Sequence, residues 1–149
     1  MLGHASFGGS LHYCALDEAQ SFVPSVPTIA ISILSPDRAP AVLHADITPV
    51  LRLYFQDATG GQDAPVRAGL FTQDHARAVV AFLRAHHDKP QPCHLMVHCE
   101  AGISRSAAVA VFAVFAASEC DLALRGKFAF LNPWVLNVLV RTTYPHYAF

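Results

Sequence analysis

The amino-acid sequence predicts a single α/β domain, residues 1–149, with a central, mostly parallel sheet flanked by helices. Three observations carry that expectation. The chain has 149 residues, the commonest size for one domain and short for two. Hydrophobic residues make up 53% and charged residues 14%, which is enough apolar side chain for a filled core and excludes a disordered chain. Short β-branched runs alternate with segments of helical period, as in strands joined by crossover helices.

Residues 1–10 (MLGHASFGGS) are small, polar and Gly-rich, so the first few are expected to be loosely held. Four strands are predicted, at 11–15, 28–34 (TIAISIL), 50–55 (VLRLYF) and 94–98 (HLMVH). The second is nearly continuous in apolar residues, as a strand covered on both faces should be, and Ser35-Pro36-Asp37 ends it with turn chemistry. Thr72 can cap a helix running to His87, with Asp74 in its first turn and Ala76, Val79, Val80 and Leu83 along one face. Asp88-Lys89-Pro90 stops it. A second helix is expected from Ser104 to about Glu119, apolar all round and therefore packed on several sides. Asn132-Pro133 is an N-cap followed by proline at the first helical position, so a last helix should run from Pro133 to about Thr142. A parallel sheet places its site outside the carboxyl ends of the strands.

Composition removes several function classes. Ten Lys+Arg against eleven Asp+Glu leave a formal charge of −1, and no three basic residues adjoin, so a nucleic-acid partner is not expected. Mean hydropathy is positive, at +0.34. The longest apolar run, 107–117, is nevertheless about half of the roughly 20 residues a membrane span needs, so no membrane association is expected. The first twenty residues carry no Lys or Arg and no sustained apolar block, so no secretory signal is expected. The four cysteines (Cys14, Cys93, Cys99, Cys120) show no CxxC spacing. Reduced thiols in the cytoplasm are the expectation.

The chemistry concentrates at the end of the fourth strand, in Val97-His98-Cys99-Glu100-Ala101-Gly102-Ile103-Ser104-Arg105-Ser106. A cysteine sits where an apolar strand ends, and a long helix starts about five residues later. Gly102 permits a positive φ or a close backbone approach in the intervening loop. Such a turn can point successive N–H groups at one spot, where the helix dipole adds positive potential. An anion belongs there, and so does a thiolate. Arg105 supplies a planar fork suited to phosphate oxygens.

This element resembles the signature of the cysteine-based protein tyrosine phosphatases, His-Cys-x5-Arg-Ser/Thr, at His98, Cys99, Arg105 and Ser106, with Gly102 where that loop usually carries glycine. The inner Ala101-Gly102 and Ser104-Arg105-Ser106 look most like the compact dual-specificity branch. The low-molecular-weight branch, whose cysteine lies near the N-terminus, fits poorly. Elsewhere the resemblance is one of architecture and element order. It implies a phosphatase-like fold, with Glu100, Ala101, Gly102, Ile103, Ser104 and Arg105 as the phosphate-binding loop. It further implies Cys99 as nucleophile, a supporting role for His98, and a Ser106 hydroxyl that helps the thiolate leave.

Attack by Cys99 would expel an alkoxide or phenoxide, so a proton donor should face the leaving oxygen. The sequence has no Trp-Pro-Asp tripeptide. In the dual-specificity branch the acid follows the strand that precedes the long helix, and the matching residue here is Asp57, with Gly60-Gly61 offering loop mobility. Asp63 on the same loop is its main rival, and Asp46, after 41–43, is a weaker one. The expected substrate is a phosphorylated protein or peptide, hydrolysed through a phosphocysteine without metal or cofactor. Glu100 and the lack of lysine in the loop disfavour polyphosphorylated lipids. Two readings compete: a phosphate-recognising module without activity, and a rhodanese-like sulfurtransferase.

Other features are weighed against a site. His94 and His98 share one side of a strand, but no carboxylate cluster completes a metal set. His86-His87 suits a helix C-terminus. Phe112, Phe115, Phe128 and Phe130 are core material by default, and the aromatic end 144–149 could dock on the domain or a partner. Cys14, Cys93 and Cys120 are read as buried thiols, with a regulatory disulfide to Cys99 as the lesser alternative.

Overall fold

A computed structural model describes residues 9–58, 69–87, 93–114 and 130–146. Their elements run β1 (Leu11–Cys14), α1 (Leu16–Ser21), β2 (Thr28–Leu34), β3 (Ile47–Tyr54), α2 (Gln73–His87), β4 (His94–His98), α3 (Arg105–Val114) and α4 (Pro133–Thr143). The strands form one sheet in the order β1-β4-β2-β3, and every neighbouring pair is parallel. The single α/β domain with a parallel sheet between helices is therefore the observed architecture.

Alternation along the strands builds two apolar layers. Ile29, Ile31, Ile33, Leu95 and Val97 face α2, α3 and α4, packing on Val79, Leu83, Val109, Phe112, Leu136 and Leu139. Ala30 and Met96 face the other way, toward Ala19 of α1 and the half-buried Phe22 and Leu43. Every residue of β2 is buried, Thr28 and Ser32 included, as expected of a nearly continuous apolar strand covered on both faces.

Bounds of β2 and β4 agree with the sequence reading, and three helices start where their caps stand. The Thr72 hydroxyl accepts from the His75 N–H at 3.2 Å. Asn132 Oδ1 accepts from the Val135 N–H at 3.1 Å, with Pro133 opening α4. Ser104 carries the first carbonyl of α3, bonded by the Ala108 N–H.

Two elements and one core residue differ. The third strand starts at Ile47 rather than residue 50, because Ile47 pairs with Thr28 and the register shifts before Val50 meets Ala30. The extra residues include Pro49, tolerated because β3 is an edge of the described sheet. Helix α1 was not expected; it has six residues and one buried side chain, Ala19, and Glu18 Oε1 accepts from the Ala15 N–H at its start. Phe130, expected in the core, is 72% exposed, because the turn ahead of α4 buries its neighbour Leu131 instead. The expected loose end at 1–8, the Asp88-Lys89-Pro90 stop, the end of the second predicted helix at Glu119, Phe115, Phe128, Cys120, Asp63, Gly60-Gly61 and 147–149 lie outside the described residues. Among the described residues, no helix is long and apolar enough to cross a membrane.

Candidate active site

Parallel topology delivers the ends of all four strands to one edge, and Cys99 follows the last residue of β4 there. The loop from Cys99 to Ser104 is shaped by the end of β1 as much as by its own sequence. Cys99 N–H donates to the Cys14 carbonyl at 3.3 Å, and Leu16 N–H donates to the Glu100 carbonyl at 3.1 Å. Gly102 has φ +76°. A Cβ there would lie 2.4 Å from Ala15 N and 2.5 Å from the Cys14 carbonyl carbon, backbone atoms with no rotamer to give way. Both the close approach and the positive φ thus demand glycine.

Cys99 is 1% exposed. The Gly102 N–H donates to its Sγ at 3.2 Å, and the buried Ser106 hydroxyl lies 3.1 Å from the same sulfur. The sulfur thus lies beside a backbone N–H and a buried hydroxyl, next to the first turn of α3.

Arg105, the first residue of α3, is 4% exposed. Its Nη1 donates to the Phe55 carbonyl at 2.9 Å and to Ser35 Oγ at 3.2 Å, and Nη2 lies 3.5 Å from Glu100 Oε1. The ends of β2 and β3 therefore fix the guanidinium plane. Its Nε is buried and has no hydrogen-bond partner among the described residues. A buried cationic donor left in that state costs folding free energy unless an acceptor arrives.

Glu100 braces the arginine rather than facing a ligand. Its Oε2 accepts from the Ser35 N–H at 2.9 Å, and Oε1 lies 3.9 Å from Arg38 Nη1. Burial pushes the carboxyl pKa up, but the Ser35 hydrogen bonds and the Arg105 and Arg38 charges outweigh it and hold the group below its ordinary value. Any part of Glu100 in anion binding therefore comes from its backbone.

His98 is buried between two partners. Nδ1 lies 3.2 Å from the Cys99 carbonyl and Nε2 lies 2.6 Å from Ser32 Oγ. Burial lowers its pKa, the bond to the carbonyl offsets part of that, and the Arg52 charge adds to the lowering. The ring is then neutral, and because a carbonyl only accepts, Nδ1–H donates to Cys99 while Nε2 accepts from Ser32. His98 thus pins the backbone of the cysteine.

Asp57 follows β3 on the same edge. Its Oδ1 accepts from Ser104 Oγ at 2.7 Å and from Asn132 Nδ2 at 2.8 Å. Asp46 precedes β3, at the amino end of the sheet, where its backbone N–H bonds His44; that removes it from Cys99. His94 and His98 sit at opposite ends of β4. His94 bonds Ser10 and His12 instead. Among the described residues, no group of three or more His, Cys, Asp or Glu is arranged to hold a metal ion. Cys14 lies beside Cys99 with no disulfide formed.

Sequence reasoning missed Ser32, Ser35 and the second function of Asn132. A serine in the otherwise apolar TIAISIL run was the available signal for the first. No protein-family model, curated protein or solved structure matches the chain.

Proposed function

We propose that this protein is a cysteine-dependent phosphomonoester hydrolase of the protein tyrosine or dual-specificity phosphatase kind, with a phosphatase-like fold and a phosphorylated protein or peptide as substrate. One observation carries the reading: the buried guanidinium of Arg105 is anchored through both terminal nitrogens while its Nε stands without a partner, in the loop that also holds the buried Cys99 sulfur. A phosphoryl oxygen satisfies that donor, and Arg105 then supplies charge to the equatorial oxygens.

In the first step Cys99 Sγ attacks phosphorus, the S–P bond forms and the P–O bond to the leaving group breaks. Asp57 delivers its proton to the departing oxygen. In the second step Asp57 takes a proton from water, the water oxygen bonds phosphorus, and the S–P bond breaks to release inorganic phosphate. The Ser106 hydroxyl, 3.1 Å from Sγ, donates to the returning thiolate. His98 and Glu100 hold the cysteine backbone and the arginine in register.

The experiment is phosphate release from 4-nitrophenyl phosphate and a phosphotyrosine peptide, with EDTA present, for wild type, Cys99→Ser and Asp57→Asn. Turnover in EDTA that Cys99→Ser abolishes, and that Asp57→Asn lowers by about 10²-fold or more on the phosphotyrosine peptide and less on 4-nitrophenyl phosphate, supports the reading. Phosphate binding without turnover in the wild type replaces it with a recognition module.

A further inference from the structure

We propose that Asn132 is a positioning residue which, with Ser104, clamps the Asp57 carboxyl by Oδ1 and so keeps Oδ2 as the oxygen that carries the catalytic proton. This rests on the phosphatase reading and deepens it. Asn132 is 3% exposed, and its polar groups join three chain segments. Its N–H donates to the Ser104 carbonyl at 3.2 Å, which ties it to the phosphate loop. Its Oδ1 caps α4 through the Val135 N–H. Its Nδ2 donates to Asp57 Oδ1 at 2.8 Å and to the Ala58 carbonyl at 3.4 Å, which ties down the acid-bearing segment.

The two donors on Asp57 converge on one oxygen. Ser104 Oγ and Asn132 Nδ2 both point at Oδ1, and no described residue bonds Oδ2. In a carboxylic acid the carbonyl oxygen is the better acceptor and the other oxygen carries hydrogen. When the carboxyl carries a proton, two donors at Oδ1 therefore leave Oδ2 as the oxygen that holds it, and they stop the exposed carboxyl from rotating. An ordinary N-cap needs only the asparagine oxygen; the amide nitrogen is what the acid uses.

The test exploits that division. Asn132→Ser keeps a capping oxygen and removes the amide donor. Asn132→Asp keeps shape and cap and likewise lacks the donor. Rates are measured on phenyl phosphate, whose leaving group needs a proton, and on 4-nitrophenyl phosphate, whose leaving group needs it far less, with Asp57→Asn in parallel. The expected result is a kcat about tenfold or more lower on phenyl phosphate and within about threefold of wild type on 4-nitrophenyl phosphate, the pattern of Asp57→Asn in weaker form. Equal losses on both substrates in whichever variant folds would overturn the clamp and leave Asn132 a helix cap. Leaving-group-selective loss in Asp57→Asn with none in either Asn132 variant would overturn it while the phosphatase stands. A wild type without turnover, or an Asp57→Asn variant equal to it, would remove the acid role itself.

Discussion

Gly102→Ala probes the site through one atom. The added methyl carbon would stand 2.4 Å from Ala15 N, whereas ordinary contact begins near 3.4 Å, so the loop and the β1 end must part by about 3.4 − 2.4 = 1.0 Å. Holding a non-glycine residue at φ +76° costs about 1–2 kcal/mol, and overpacking against rigid neighbours costs about 1–3 kcal/mol more. Together these give about 2–5 kcal/mol, a fall in Tm of roughly 4–20 °C for a domain of this size. A 1 Å displacement of the loop that holds Cys99 would also lower kcat/KM by about 10²-fold. Gly69→Ala is the matched control. Its φ is +92°, but its nearest neighbour is Cγ of the flexible Gln56 side chain at 3.0 Å, so the conformational part remains and the backbone clash does not. Thermal unfolding and orthovanadate affinity, measured on both variants, separate the two costs. If Gly102→Ala unfolds within 2 °C of Gly69→Ala, by roughly the resolution of such a comparison, and binds vanadate as wild type does, the steric reasoning is refuted.

Arg105→Lys keeps the charge but loses Nε and the fork that reaches Phe55, Ser35 and Glu100, so vanadate affinity should fall by about 10²-fold or more in a competition assay. The folded His98 pKa lies below its ordinary value of 6.5, so the unfolded chain takes up that proton first and stability is lost as pH falls below 6.5 toward the folded value. His12, His75 and His94 shift in the same direction, mainly through burial, and add to the loss. Tm should therefore drop between pH 7.5 and 5.5, by roughly a few degrees, and His98→Gln should flatten part of that slope. Burial, with Glu18 and Cys99 contributing, pushes the Cys14 thiol up to about 11. Iodoacetamide should thus spare Cys14 at neutral pH, and mild peroxide should leave sulfenic or sulfinic acid on Cys99 in the mass spectrum, with little Cys14–Cys99 disulfide.

What could be read from the chain followed from how local each signal is. The β2 and β4 bounds were legible because each is a mostly apolar run closed by a change in chemistry, and the placing of Cys99 and Arg105 at the two ends of one strand-to-helix loop because both lie close together in the sequence. The start of β3 was hidden by Pro49, which reads as a break although an edge strand accommodates it. Helix α1 gave no period because only Ala19 of its six residues is buried. The partners that shape the candidate site are remote. Ser32 meets His98 across 66 residues, Ser35 meets Arg105 across 70, and Asn132 meets Asp57 across 75. No periodicity encodes those pairs; the parallel crossovers bring them together.

The seat of the Cys99 loop on the end of β1 has a consequence for how the protein matures. The backbone bond that holds Cys99 comes from Cys14, and the surface that Gly102 rests on is Cys14–Ala15. During synthesis the first strand must wait for more than 80 further residues before its partner strand exists. The shape of this loop is then the product of a high-contact-order docking event and not of its own residues alone. A chain released early, or one clipped between β1 and β4 before docking, would carry the whole ten-residue stretch yet lack its shape, so the seat of the Cys99 sulfur exists only in a finished domain.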